Sequence, residues 1–421
     1  MTQADWTERA QQVLPAGGFG NFDHSILIRE GKGSRVWDED GNEFVDYLIG
    51  SGPMLVGHGH EEVVDAVRDQ IGKGMTFFAN NAAGVELAEE ICRAVPCAEQ
   101  VRYTASGGEA DMYAMRLARA YTGRTKIMKF EGGYHGMSAE AQMSLAPTSL
   151  VNFPVAVPDS AGIPESVRDE MLVAPFNDVD FARSLIAEHG QDIACIIVEP
   201  LQRVVPPEPG FLETLREEAT KNGIVLIFDE IVTGFRFAYG GAQELYGVTP
   251  DLCTLGKIIG GGFPLAATVG KAEIMAHFDK AKVGAEGFLM QLGTLSGNPV
   301  ASVAGLKTME ILRRPGSYER LRQSGKTLQK AITDSLSKRG IAHQIVGDPT
   351  LFDVVFTETP VRNYRDWLTG DVEINGRFNT VLREKGILKS PTKMYPCLAL
   401  TDDDIAQTVE AIEAAAAVLE G

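Results

Sequence analysis

Two stretches, Ile224-Val225-Leu226-Ile227-Phe228-Asp229-Glu230 and Leu252-Cys253-Thr254-Leu255-Gly256-Lys257, each run apolar almost to the end and then stop on an ionisable side chain. Near-continuous apolar runs of this length read as strands buried on both faces, the kind found in parallel sheets covered by helices. Similar runs at Val101 to Thr104, Ile127 to Phe130, Ile193 to Val198 and Ala266 to Val269 alternate with helical stretches from about Gly84 to Gly270. The expectation is therefore an α/β protein with a mostly parallel central sheet. An amine at a buried strand end, followed by Gly260-Gly261-Gly262 to leave room for a flat partner, suits an aldehyde cofactor held by Lys257. A carboxylate at the neighbouring strand end, Asp229, suits a pyridinium nitrogen.

Working outward, the strand ending at Thr104 enters Ala105-Ser106-Gly107-Gly108-Glu109-Ala110 and a helix marked by Ala110, Ala114, Leu117, Ala118 and Tyr121. Ser106, Gly107 and Gly108 at that turn are candidates to hold a phosphate with backbone N–H groups at a helix N-terminus. A Ser-Gly-Gly turn with no ligand is the competing reading. The strand ending at Phe130 enters Glu131-Gly132-Gly133-Tyr134-His135-Gly136, which sets Tyr134 at a strand's carboxyl end, where open parallel sheets bind ligands. Tyr134 either stacks on a ring there or packs into the core. Gln291-Leu292-Gly293-Thr294-Leu295-Ser296-Gly297-Asn298-Pro299 adds a hydroxyl loop before a helix. Each feature alone has an ordinary structural explanation, and their coincidence at consecutive strand ends points to pyridoxal phosphate chemistry.

The chain has 421 residues, 44% hydrophobic and 23% charged, enough for two or three structural units. Its net charge of −18 repels nucleic acid and anionic membrane surfaces. Met1-Thr2-Gln3-Ala4-Asp5-Trp6 lacks the pattern of a signal peptide, and no segment reads as membrane-spanning, so a cytoplasmic location is expected. Cys92, Cys97, Cys195, Cys253 and Cys397 have no metal-type spacing and are expected as reduced thiols. His58 and His60 lack a third nearby ligand, so no metal is expected.

Three regions are expected: 1–60, an N-terminal segment with a helix near Trp6 to Val13 and a β-hairpin turning at Asp40-Gly41; 61–300, the large α/β domain; and 301–421, a smaller α+β domain. The last holds two long helical patterns, strands near Ile341 to Val346 and Leu351 to Phe356, and a final helix through Ile405 to Leu419.

With these motifs in hand, the chain resembles a class III pyridoxal-phosphate-dependent aminotransferase of fold type I, similar to the subgroup that contains glutamate-1-semialdehyde aminomutase. The resemblance runs almost end to end, through Gly33-Ser34-Arg35-Val36-Trp37-Asp38, Tyr134-His135-Gly136, Val198-Glu199-Pro200, Asp229-Glu230-Ile231-Val232-Thr233-Gly234-Phe235-Arg236, Lys257 and Gly293-Thr294-Leu295-Ser296-Gly297-Asn298-Pro299. It implies a smaller domain formed by the chain termini. It implies further that Lys257 forms the internal aldimine, Asp229 meets the ring nitrogen, Tyr134 and Ile231 cover the ring faces, and Ser106, Gly107 and Gly108 bind the phosphate. Thr294 would reach that phosphate from the neighbouring subunit of a homodimer with shared active sites.

Departures from the pattern bear on the substrate. The usual Ser-Gly-Thr turn is Ser-Gly-Gly, which loses a hydroxyl and keeps the backbone donors. The arginine that binds substrate carboxylate in the aminomutases is absent from Pro15-Ala16-Gly17-Gly18-Phe19-Gly20-Asn21-Phe22-Asp23-His24, where His24 or a neighbour stands instead. Arg203, after Glu199-Pro200, and Lys393 are candidates for that clamp, or else exposed charges. The resulting expectation is an aminotransferase acting on small-molecule amines and keto acids. Its rivals are an isomerase, aminomutase or racemase, and a cofactor-binding regulatory module that does no chemistry.

Overall fold

The structure is a computed structural model that describes residues 2–420. It divides into two compact units, one of residues 65–314 and 360–369, the other of the described residues 2–64, 315–359 and 370–420.

The larger unit is built on a seven-stranded sheet. From edge to edge its strands are Gln100–Thr104, Ala266–Gly270, Leu252–Leu255, Val225–Asp229, Ile193–Val198, Lys126–Phe130 and Met171–Ala174. Pairing is parallel throughout except for Ala266–Gly270, which runs antiparallel to both neighbours. Five strands, Met171–Ala174, Ile193–Val198, Val225–Asp229, Leu252–Leu255 and Ala266–Gly270, are buried along their whole length, which is what their near-continuous apolar sequences require. The Gly107–Thr122 helix lies on this sheet through Ala114, Met115, Leu117 and Ala118, and these join Ile127, Val173, Cys195, Ile197, Val225 and Ile227 in one core. Among the described residues no helix is long and apolar enough to cross a membrane.

The second unit carries a four-stranded sheet, Ile28–Lys32, Arg35–Asp38, Glu43–Asp46 and Ile387–Leu388, in that order. Arg35–Asp38 and Glu43–Asp46 pair antiparallel about the Asp40-Gly41 turn, and Gly41 takes a φ of +88° that a side chain would strain. The helices Ser317–Ser337, Val372–Glu384 and Asp402–Val418 and a two-stranded ribbon, Gln344–Asp348 with Leu351–Val355, complete it. The first ribbon strand starts at Gln344, later than the run from Ile341, because residues 341–343 instead leave the preceding helix in a turn in which Ile341 N–H bonds Leu336 O. Residues 360–369 leave this unit and pack in the larger one: Tyr364 lies against Gly132, and Arg365 forks onto Glu131, with Nε to Oε2 at 2.7 Å and Nη2 to Oε1 at 3.0 Å.

Candidate active site

The Val225–Asp229 strand delivers Asp229, 5% exposed, to the sheet's carboxyl edge. Its Oδ2 lies 2.8 Å from His135 Nδ1, and its Oδ1 accepts the Ile231 N–H at 3.1 Å. His135 is itself buried, and its Nε2 has no hydrogen-bond partner among the described residues. A second carboxyl, Asp111 of the Gly107–Thr122 helix, is buried beside Asp229 and accepts from Thr254 Oγ1 at 2.6 Å. Desolvation and then the Asp229 charge push Asp111 well above the usual carboxylate range. Glu230, next in sequence, turns away from this cluster. It is buried and accepts from Thr233 Oγ1 at 3.0 Å and from Ala242 N–H, tying down the start of the Gly241–Tyr246 helix.

Ser106 caps the Gly107–Thr122 helix in a capping box. Its Oγ accepts the Glu109 N–H at 3.4 Å, and Glu109 Oε2 accepts the Ala105 N–H at 2.8 Å. This leaves the Gly107 and Gly108 N–H groups with no acceptor among the described residues, at the positive end of a sixteen-residue helix. Two unclaimed donors there form a ready anion cradle. The glycines are also required by contact. A Cβ on Gly107 would meet Ile231 Cδ1 at 3.0 Å, and one on Gly108 would meet Gly136 Cα at 3.2 Å.

The Lys126–Phe130 strand leads into an irregular loop, 131–145, that brings Tyr134, His135 and Gly136 to the same edge. Tyr134 is 47% exposed, and its N–H donates to Glu199 Oε2 at 2.9 Å. Desolvation, followed by the charges of Asp111, Asp229 and Glu199, raises its phenol. Lys129 lies beneath the loop, 1% exposed, with Nζ donating to the carbonyls of Gly133 at 3.2 Å, Ala141 at 2.8 Å and Met143 at 2.6 Å. Burial pulls Lys129 down to about 7 against the opposing charges of Glu199 and Asp159, while the three carbonyls favour the ammonium. Arg203 holds the loop's two ends, with Nε on Gly132 O at 2.9 Å and Nη2 on Leu145 O at 2.7 Å, and its guanidinium stacks over Tyr364.

Lys257 follows the Leu252–Leu255 strand and opens a 3-10 turn, Lys257–Gly260, with a φ of +48° that is unusual for a side chain of this length. The glycine string behind it serves packing rather than an open slot. A Cβ on Gly261 would meet the Ala304 carbonyl carbon at 2.5 Å, and Gly305 lies against Ile259 O, so the Pro299–Leu312 helix presses on the turn and fixes it. Ile231 links the parts, since it touches Gly107 on one side and Gly256, the residue before Lys257, on the other.

Ser106, Gly107, Gly108, Tyr134, Asp229, Ile231 and Lys257 are thus joined by direct contacts or by their immediate chain neighbours. Thr294 is exposed on a separate loop whose contacts run to Thr76 and, through Gly297, to Asn81 and Tyr103. His24 and Lys393 belong to the other unit, where His24 lies against Gly18 and Lys393 forms a β-bridge with Ser390. His58 Nε2 is 2.7 Å from Asp46 Oδ2. Sequence reasoning passed over Lys129, Asp111, Glu199 and the His135 contact. Two of these left a trace, a lysine inside an apolar strand and an aspartate on the apolar side of a helix.

The model of the family described as aminotransferase class-III matches residues 20–416. A glutamate-1-semialdehyde 2,1-aminomutase 2 of Brevibacillus brevis is 44% identical over 392 residues, covering 92% of this chain and 90% of that protein. An omega-transaminase from Sphaerobacter thermophilus superposes with a TM-score of 0.94 at 36% identity, covering 100% of this chain and 98% of that one. A β-phenylalanine aminotransferase from Variovorax paradoxus gives a TM-score of 0.86 at 32% identity, covering 98% and 93%. With that fold, those strand ends and these matches, the chain belongs to the class III aminotransferases, pyridoxal 5'-phosphate-dependent enzymes of fold type I.

Proposed function

We propose that the protein is a transaminase that moves an amino group from an amine or amino acid, β- and ω-amino donors first, to a keto acid, using Lys257 and Asp229. One observation carries the reading: through Ile231 the unclaimed donors at Gly107 sit one side chain from the turn that presents Lys257, with Asp229 two residues before Ile231.

The residues fit pyridoxal phosphate. The Gly107 and Gly108 N–H groups and the Ser106 hydroxyl would take its phosphate, Asp229 its ring nitrogen, Tyr134 and Ile231 its two faces, and Lys257 its aldehyde carbon. When bound, the cofactor supplies a sink for negative charge developing on the substrate carbon. Lys257 Nζ takes the proton from the amine-bearing carbon and returns it nearby. Asp229 offers a buried counter-charge to the ring, and His135 Nδ1 fixes the angle at which it does so. Burial and the neighbouring Asp229 charge disfavour a second anion at Asp111.

For a donor's carboxylate the candidates are Arg203, Lys393 and His24. Arg203 presents its Nε and Nη2 to carbonyls, so its forked edge is occupied and we assign it to the loop. Arg203→Ala should then raise KM alike for carboxylated and uncharged amines; a rise confined to carboxylated donors would restore it as the clamp.

A homodimer with shared sites is supported by the surface around Thr294. Phe78, Met290, Leu292 and Leu295 are 65%, 67%, 70% and 46% exposed there, beside a cavity of about 480 Å³. No disulfide joins the five cysteines among the described residues, which supports a reducing, cytoplasmic setting.

The 44% identity to a protein named as an aminomutase favours a second reading, transfer within one molecule. Incubating holoprotein with β- and ω-amino donors plus pyruvate or 2-oxoglutarate separates the two. A transaminase forms a new amino acid only when the keto acid is present. Turnover without added keto acid would establish the isomerase, and silence across the panel would overturn both.

A further inference from the structure

We infer that Lys129 is a positioning residue for the active site, an internal cation that clamps the 131–145 loop and so sets Tyr134, His135 and Gly136 at once. The inference rests on the proposed cofactor site and deepens it.

The loop has no helix and no ladder of its own. Beyond the Gly132 N–H to Ser144 O bond at 2.8 Å that closes its base, and a single bridge from Met143 to Pro158, little regular pairing holds it. A long irregular segment buried in this way must find partners for its carbonyls. Lys129 supplies three. Gly133 O belongs to the outgoing arm, while Ala141 O and Met143 O belong to the returning arm, so one ammonium cross-links both. An ammonium has three donors, and all three are used. No contact ion pair to Lys129 occurs among the described residues, so the atoms that touch its charge are oriented carbonyl dipoles, and the carboxylates of Glu199 and Asp159 favour it only from farther off.

What the clamp fixes is the site itself. Gly133 immediately precedes Tyr134, His135 bonds Asp229, and Gly136 lies in backbone contact with Gly108 of the phosphate turn. If the arms separate, ring face, counter-ion and phosphate cradle shift together. A misplacement of about 1 Å costs roughly a hundredfold in rate. A lysine suits this position better than an arginine because its charge is compact and its three donors diverge.

The test compares holoprotein, apoprotein and two variants. Lys129→Met keeps the stem and removes the donors; it should weaken pyridoxal phosphate binding by about tenfold or more and lower kcat by about a hundredfold. Hydrogen exchange of the Gly132 and Ser144 amides should quicken in the apo variant. Lys129→Ala opens the three-carbonyl cage, and K⁺ should restore part of the cofactor affinity where tetramethylammonium at equal ionic strength does not. A merely structural lysine would give no such rescue. Should the variants fail to fold, the parent still decides: with the clamp in place its Gly132 and Ser144 amides exchange as slowly without cofactor as with it. Unchanged affinity and exchange in Lys129→Met, or rapid exchange of these amides in the apo parent, would overturn the inference. A parent that binds no pyridoxal phosphate would instead sink the cofactor reading, and the exchange comparison would still report on Lys129.

Discussion

Among the described residues two lysines are buried, Lys129 in the larger unit and Lys389 in the unit formed by the chain termini, and they are satisfied in opposite ways. Lys389 lies 3.2 Å from Asp353 Oδ1 and also donates to Asn379 Oδ1 at 2.9 Å and Ser390 O at 2.8 Å, so its charge is cancelled where it sits. Lys129 donates only to carbonyls among the described residues. A cancelled pair stabilises one packing arrangement and projects little field. A cation with no carboxylate in contact organises a loop and adds positive potential toward Glu199 and Asp159, close to where Asp229 and Asp111 concentrate carboxyls. The difference separates a region built for stability from one built for chemistry. Substitutions in the two should therefore move different observables.

Lys257→Ala should give the largest effect, a fall in turnover of about 10⁴-fold or more with the unfolding midpoint nearly unchanged, measured by product formation beside a urea melt. Loss of stability without loss of turnover would erase the distinction at its strongest point. Asp229→Ala should come next, lowering kcat by about 10²- to 10³-fold. In the other unit, Lys389→Met leaves Asp353 buried and unpaired, and should cost about 3–5 kcal/mol of stability while kcat per folded molecule holds steady. Adding Asp353→Leu should recover most of that loss. A kcat that tracks the Lys389 change would mean that this pair also serves the site.

The smallest effect is expected at Asp23, whose carboxylate lies 2.8 Å from Arg383 Nη1. Some desolvation opposes ionisation, yet the Ser25 and Arg383 hydrogen bonds outweigh it and hold Asp23 at about 2, below its ordinary 3.8. A depressed folded value means the contribution is complete above the unfolded value and disappears as pH falls from about 4 to about 2. Asp23→Asn should lose under about 1 kcal/mol at pH 6 after solvent screening and flatten that acid limb, read from urea midpoints across the window.

Much of the fold was legible because buried parallel strands must be apolar throughout, and Ile193–Val198 and Val225–Asp229 announce themselves that way. Met171–Ala174 was not, since a four-residue run directly after the short helix Glu165–Asp169 has no alternation or turn to mark it. The reversed direction of Ala266–Gly270 and the excursion of residues 360–369 follow from how the chain is routed, which no local pattern encodes. Among the candidate site residues, Ser106, Tyr134, Asp229 and Lys257 stood out at or just after strand ends. The His135 to Asp229 contact joins residues 94 apart in sequence, and Lys129 meets carbonyls, which every residue possesses. Neither kind of partnership has a composition to detect.

The central claim is that Lys257, and no other lysine, carries the cofactor. Borohydride reduction of the holoprotein followed by peptide mass spectrometry tests it directly. A pyridoxyl phosphate group fixed on the Lys257 peptide alone is the result required; a label on the Lys129 peptide or elsewhere, or no label at all, would contradict it.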